Sequence, residues 1–411
     1  MSTEVFKVFI KALKNPHRSH QRLGFLKYLT YKASQSDSTT VRALGGDLLR
    51  IMSKKVNVKV NESLKTYIER RLRNQFRNIL KNQQEKIYLE LQDLYLSDPQ
   101  VPSKTGKLYL YDCQKRYPYL LSSIGFVREK TYSLLVRGKV FLEFIRREEM
   151  DTFTKYTRTL NPFLLSDYQK YICLYSILEN DGDVLKPLYT RLLNLENSFS
   201  DWVAGDFLPE IYMQISKIYR TKITNGIDRE RLDNLFDSAR RIERWVNKPR
   251  TGGRGAKIDA ITPRLEPSVD LGLLKKPNPY RYEYYFSEQG REFFNLFCLS
   301  EDVGKFLDDS FFSILNKSFK LKANPAKKEE IIETLLFAFN KIKSPLGYAP
   351  IKEIALFGAI KSLVDNRKYF EIGQVTKLII EYQKLHPYEA RFQVNSSGAP
   401  VYVKFLTENK K

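Results

Sequence analysis

The strongest constraint on how this chain can fold is a pattern that it uses twice. The first copy opens at Arg116, makes an apolar–Gly–apolar–apolar step at Ile124, Gly125, Phe126 and Val127, crosses a short basic gap, resumes at Tyr132 and closes at Gly138, Lys139 and Phe141. The second opens at Arg264, makes the same step at Leu271, Gly272, Leu273 and Leu274, crosses a longer basic gap, resumes at Tyr282 and closes at Gly290, Arg291 and Phe293. Glycine after an amphipathic stretch marks a helix end with positive φ, which glycine adopts without steric cost. The apolar pair that follows starts a strand, the basic gap makes a turn, and the aromatic-led segment returns as a second strand before a new helix. Each copy therefore predicts helix, strand, turn, strand, helix.

That order resembles the second half of a winged-helix domain, the helix-turn-helix variant with a β-hairpin wing. In that family the helix before the glycine enters the DNA major groove and the wing rides on the backbone. The resemblance implies a mainly α chain with small β-hairpin wings, an α+β class of tandem winged-helix units on a helical scaffold. Three regions follow. Residues 1–150 form a basic helical region with the first unit, and residues 151–300 a second unit with a helical insertion at 197–255. Residues 301–411 carry three helices, at 328–343, 351–364 and 371–385, then alternating segments at 388–394 and 401–405, a third candidate without the closing helix. The array is also similar to the recognition half of type IIS restriction endonucleases, whose nuclease lies elsewhere.

Charge points the same way. The 69 Lys and Arg outnumber the 47 Asp and Glu by 22, and residues 1–150 alone hold 29 against 14. Such an excess attracts phosphate polymers. In residues 62–83, Leu64, Ile68, Leu72, Phe76 and Leu80 recur at helical spacing, and Arg70, Arg73, Arg77 and Lys81 occupy another face. Residues 86–96 read as a further helix. Residues 247–257 form a glycine-rich basic arm ending in Arg254 and Lys257, directly before Thr262 and Pro263, which suit a helix cap and first turn. Under the winged-helix resemblance, Arg116 and Arg264 open recognition helices, and Lys115 stands beside Arg116. Arg128 and Lys130 tip one wing, Lys275, Lys276 and Arg281 tip the other, and Gln374 and Lys377 face outward on the third unit's last helix.

No catalytic or metal-binding constellation is visible, and no cofactor is expected. His17 and His20 lack a third ligand, His386 sits at a helix end, and Asp181 and Asp183 flank what reads as a tight turn around Gly182. Cys113, Cys173 and Cys298 are scattered, as in a reducing cytosol. No apolar run approaches the roughly 18–20 residues of a membrane span, and the start of the chain lacks a signal-peptide core. The expectation is a cytoplasmic, non-enzymatic double-stranded DNA-binding protein, the recognition component of a prokaryotic genome-defence or restriction-type system, acting with a separate nuclease or ATPase subunit. A plasmid- or phage-type replication initiator and a scaffold using winged domains for protein contacts are the alternatives.

Overall fold

Both copies of the glycine pattern follow one backbone path in the computed structural model, which describes residues 10–13, 23–35, 89–90, 107–108, 117–147, 149, 164–195, 198–222, 226–246, 254–277, 283–396 and 398–406. Helices α2 (Tyr117–Ser123) and α8 (Arg254–Asp270) end on Gly125 at φ 79° and Gly272 at φ 76°. The Gly125 and Phe126 N–H groups return to Ser122 O at 3.1 Å and Leu121 O at 3.0 Å. Those of Gly272 and Leu273 return to Val269 O at 3.0 Å and Ser268 O at 2.9 Å. This is the paired bonding of a left-handed helix stop.

Helices α3 (Val136–Glu143) and α9 (Glu288–Leu299) then press a glycine onto the residue after that stop. A Cβ on Gly138 would lie 2.3 Å from Phe126 O, and one on Gly290 would lie 1.8 Å from Leu273 O. The strand register corrects one expected pairing. The Val127–Leu134 bridge matches the Leu274–Phe286 pair, so Tyr132 corresponds to Tyr284 rather than Tyr282.

The chain is mainly helical, with small sheets. Its axis is α4 (Asp167–Leu193), which runs unbroken through the expected turn at Gly182. Three contacts hold this stretch in the helix. A side chain at 182 would strike Val303, and the flanking carboxylates are engaged by other segments: Asp181 accepts the Leu13 N–H at 2.9 Å, and Asp183 accepts that of Lys11 at 2.8 Å. After α4 come β3 (Phe199–Ser200), α5 (Asp201–Asp206), α6 (Leu208–Tyr219) and α7 (Gly226–Val246). The expected insertion at 197–255 is thus not wholly helical. Its first residues form β3, the outer partner of β5 (Glu283–Phe286), with β4 (Leu274–Lys275) on the other side, giving the antiparallel order β3-β5-β4.

Helix α8 also begins earlier than expected, at Arg254. Thr262 is buried and does not cap it, and both Pro263 and Pro267 lie inside. An interior proline costs about 3 kcal/mol. Burial of almost the whole helix surface from residue 257 onward, much of it under α5 and α7, offsets that.

Helices α10 (Val303–Asp309) and α11 (Phe311–Ser318) lead to the C-terminal region. There α12 (Lys328–Ile342), β7 (Ala349–Pro350), α13 (Ile351–Asp365), α14 (Ile372–Leu385), β9 (Ala390–Val394) and β10 (Pro400–Phe405) match the three expected helices and hairpin. The sheet order is β7-β10-β9. The short strand after the first helix again lies against the return strand of the hairpin, as in the middle region. Strands β6 (Asn324–Pro325) and β8 (Lys368–Tyr369) pair in parallel. In the first region α1 (Gly24–Ser34) packs on α2 and α3. Residues 86–96, expected as a helix, contribute the strand β1 (Leu89–Glu90), paired with β2 (Lys107–Leu108). One continuous apolar core joins all three regions.

Candidate nucleic-acid interface

Three cations expected on the DNA face of the middle region lie inside the protein. Arg264 is 2% exposed. Its Nε and Nη2 donate to Asp181 Oδ2 and Oδ1 at 2.7 and 2.9 Å, and Nη1 donates to Tyr212 Oη at 2.9 Å and Ala260 O at 2.5 Å. Burial alone would lower the guanidinium pKa, but the Asp181 carboxylate outweighs it and raises it. Lys276 is buried, with Nζ 2.5 Å from Glu266 Oε1, which also accepts Tyr284 Oη at 2.7 Å. Lys257 is buried against Asp206 and lies 3.7 Å from the Trp202 ring centroid. Arg264 therefore cannot read a base, nor Lys276 and Lys257 contact phosphate, in this arrangement. The α5–α7 insertion covers α8, and each of these three buried cations faces a carboxylate, as a desolvated charge requires.

Other expected residues remain at the surface. Arg128 and Lys130 are exposed on the turn between Val127 and Leu134, and Lys275 is exposed on β4. Gln374 and Lys377 are exposed on α14, where Gln374 also accepts the Glu371 N–H at 3.3 Å. Arg254 is the first residue of α8. Arg70, Arg73, Arg77, Lys115, Arg116 and Arg281 lie outside the described residues, as do His17 and His20.

Among the described residues, the C-terminal region presents a coherent exposed face. Gln374, Lys377, Glu381 and Lys384 recur every three or four residues along α14, so they share one side of the helix. Beside them β9 exposes Arg391 and Gln393, while Lys404 on β10 reaches Leu346 O at 3.2 Å. Lys384 and Arg391 were missed in the sequence. Lys384 could have been found, because it continues the spacing of Gln374 and Lys377. The start of α14 is not free: Glu371 accepts the N–H groups of Phe312 and Ser313 at 3.0 and 2.7 Å, which anchors that end to α11.

A buried ionic junction ties α13, which packs against α14, to the rest of the chain. Arg137 on α3 donates from Nε and Nη2 to Glu353 on α13 at 3.1 and 2.6 Å, and from Nη1 to Glu179 on α4. Lys352 reaches the other Glu179 oxygen at 2.6 Å. Burial pushes the Glu179 carboxyl up, yet Arg137 and Lys352 prevail and hold it at about 2. One arginine thus ties together the three regions.

Among the described residues, no three His, Cys, Asp or Glu side chains converge as a metal site, and no helix is long and apolar enough to cross a membrane. His386 stacks on Tyr382 and pairs with Glu389 at 3.3 Å. Comparisons with protein-family models, with characterised proteins and with solved structures find no match to this chain.

Proposed function

We propose that this chain is a double-stranded DNA-binding protein built from winged-helix units, with the C-terminal unit making the main DNA contact. The observation that carries the reading is the sheet order. In both the middle and C-terminal regions, a helix, a short strand, further helices and a hairpin assemble with the short strand on the hairpin's return strand. This shared order supports reading each region as a helix-turn-helix with a wing. Helix α14, with Gln374, Lys377 and Lys384, then occupies the recognition position, and the β9–β10 hairpin is its wing. The anchored start of α14 directs contact to its later turns. The middle unit keeps the topology but has its corresponding helix covered, and serves as scaffold. The net charge of +22 supplies long-range attraction to phosphate.

The test is a titration of the full chain with random-sequence duplex DNA over a range of salt. Binding whose log affinity falls linearly with log salt is expected. Absence of duplex binding at low salt sinks the proposal. A second reading, protein docking through the same unit, draws on Leu385, Tyr388 and Val394, which are 73%, 89% and 60% exposed. It predicts association that depends little on salt.

A further inference from the structure

Outside glycine, five described residues have left-handed backbone: Lys130, Tyr132, Lys320, Lys322 and Arg367, at φ 75°, 53°, 53°, 56° and 53°. A side chain there crowds the following carbonyl, and glycine, asparagine and aspartate are the residues that tolerate it best. None of the five is Asn or Asp, and four are cations. The chain does use glycine at other left-handed positions, including Gly125 and Gly272.

Three of these cations meet at one edge. Lys320 follows the end of α11, where its N–H returns to Lys317 O at 3.1 Å and the Leu321 N–H to Asn316 O at 3.0 Å. That is the stop at which helices normally place glycine. Arg367 occupies the corresponding left-handed position beyond α13. The chains leaving these two ends pair as β6 and β8, with the Asn324 N–H on Arg367 O at 2.9 Å, and Lys322 lies between.

Residues 317–328 hold five lysines and no acid, and Lys368 adds to the edge. Lys317, Lys320, Lys328 and Lys368 each have one carboxylate partner. Lys322 and Arg367 are exposed and form no ion pair among the described residues. Helix dipoles do not account for the set. Helix α11 already carries Lys317 in its last turn, and Lys322 lies beyond any helix end. The edge is also continuous with the α14 face, because Lys328 Nζ lies 2.6 Å from Glu381 Oε2.

We infer that Lys320, Lys322 and Arg367, with Lys368, form a second phosphate-backbone contact for duplex DNA, beside the α14 face and separate from the hairpin. This rests on the DNA-binding reading above. Cations stand at these strained positions because their side chains contact the ligand, whereas glycine would suit the backbone better.

The test is the full-length triple variant Lys320→Gly, Lys322→Gly and Arg367→Gly. Glycine fits the left-handed backbone, so its Tm is expected to equal or exceed that of the wild type. Its duplex affinity at moderate salt is expected to fall tenfold or more, and the log–log salt slope to shrink by about 0.9 for each phosphate that is no longer neutralised. The charge-preserving variant Lys320→Arg, Lys322→Arg and Arg367→Lys is expected to bind like wild type. Unchanged affinity and slope in the glycine variant would overturn the inference while leaving the DNA-binding reading intact. If the wild type binds no duplex, both fail. A lower Tm would make the three side chains structural, and a loss seen only with phosphatidylserine vesicles would assign the edge to a membrane. Either result also overturns it.

Discussion

The middle and C-terminal regions share a sheet order and opposite fates for their charges. In the middle region Arg264, Lys257 and Lys276 are enclosed and each faces a carboxylate. In the C-terminal region Lys377, Lys384 and Arg391 stay in water. The difference lies in what covers the last helix before the hairpin. An insertion of three helices packs around α8, whereas α14 packs on α10, α12 and α13 by one side and leaves the side of Gln374, Lys377 and Lys384 exposed. A basic residue on such a helix is therefore left in water or drawn into a core pair according to its cover, not its spacing.

The largest expected effect breaks the comparison at its buried end. Arg264→Met strands the Asp181 carboxylate in the core and should cost about 3–5 kcal/mol in urea denaturation, with much of that recovered by adding Asp181→Leu. If instead Arg264→Met kept its stability and relaxed DNA sequence preference, the buried role would be wrong.

Next in size is an acid effect at the junction that joins the three regions. Glu179 is held at about 2 when folded, against 4.5 for the free group. A depressed carboxyl contributes stability that is present above its unfolded pKa and is lost as pH falls through the folded one. Wild type should therefore lose roughly 3 kcal/mol from this group as pH drops from about 4.5 to 2. Glu179→Gln should remove that part of the pH dependence, and an unchanged acid-unfolding profile would deny the junction its role.

The open end of the comparison is sharpened by Lys377→Glu with Arg391→Glu. Duplex affinity should fall about tenfold or more, with the salt slope reduced. Melting should barely change, because surface substitutions usually stay within about 0.5 kcal/mol. Equal binding by this variant would remove α14 and its hairpin from the interface.

The smallest effect concerns the first region. Lys130→Gly relieves a left-handed backbone and should stabilise by up to about 1 kcal/mol in thermal melts. A parallel drop in the salt slope would add this turn to the DNA contact, and an unaltered slope would restrict contact to the C-terminal unit.

Local rules made much of the architecture legible. Gly125 and Gly272 stop their helices, Gly138 and Gly290 allow the closing helix to approach, and the 328–405 run resolves into three helices and a hairpin because its apolar spacing is regular. The sequence misled where local cues competed with distant contacts. Thr262 and Pro263 look like a helix start and Gly182 like a turn, but both lie within helices that burial sustains.

The candidate site was legible only in part. Gln374 and Lys377 are exposed on α14 as expected, while Arg264 had nothing nearby to mark it as a core residue, and Lys276 pairs with Glu266, ten positions away on α8. The partner of Arg264 lies 83 positions away in the sequence, and that of Arg137 on α13 lies 216 away. Spacing along one chain segment determines which residues share a face and where the backbone must take positive φ. Whether that face meets water, a carboxylate or another helix depends on distant segments, and only the tertiary structure decided it. The energy of a charge is set by its surroundings, and its sequence neighbours are only a small part of them.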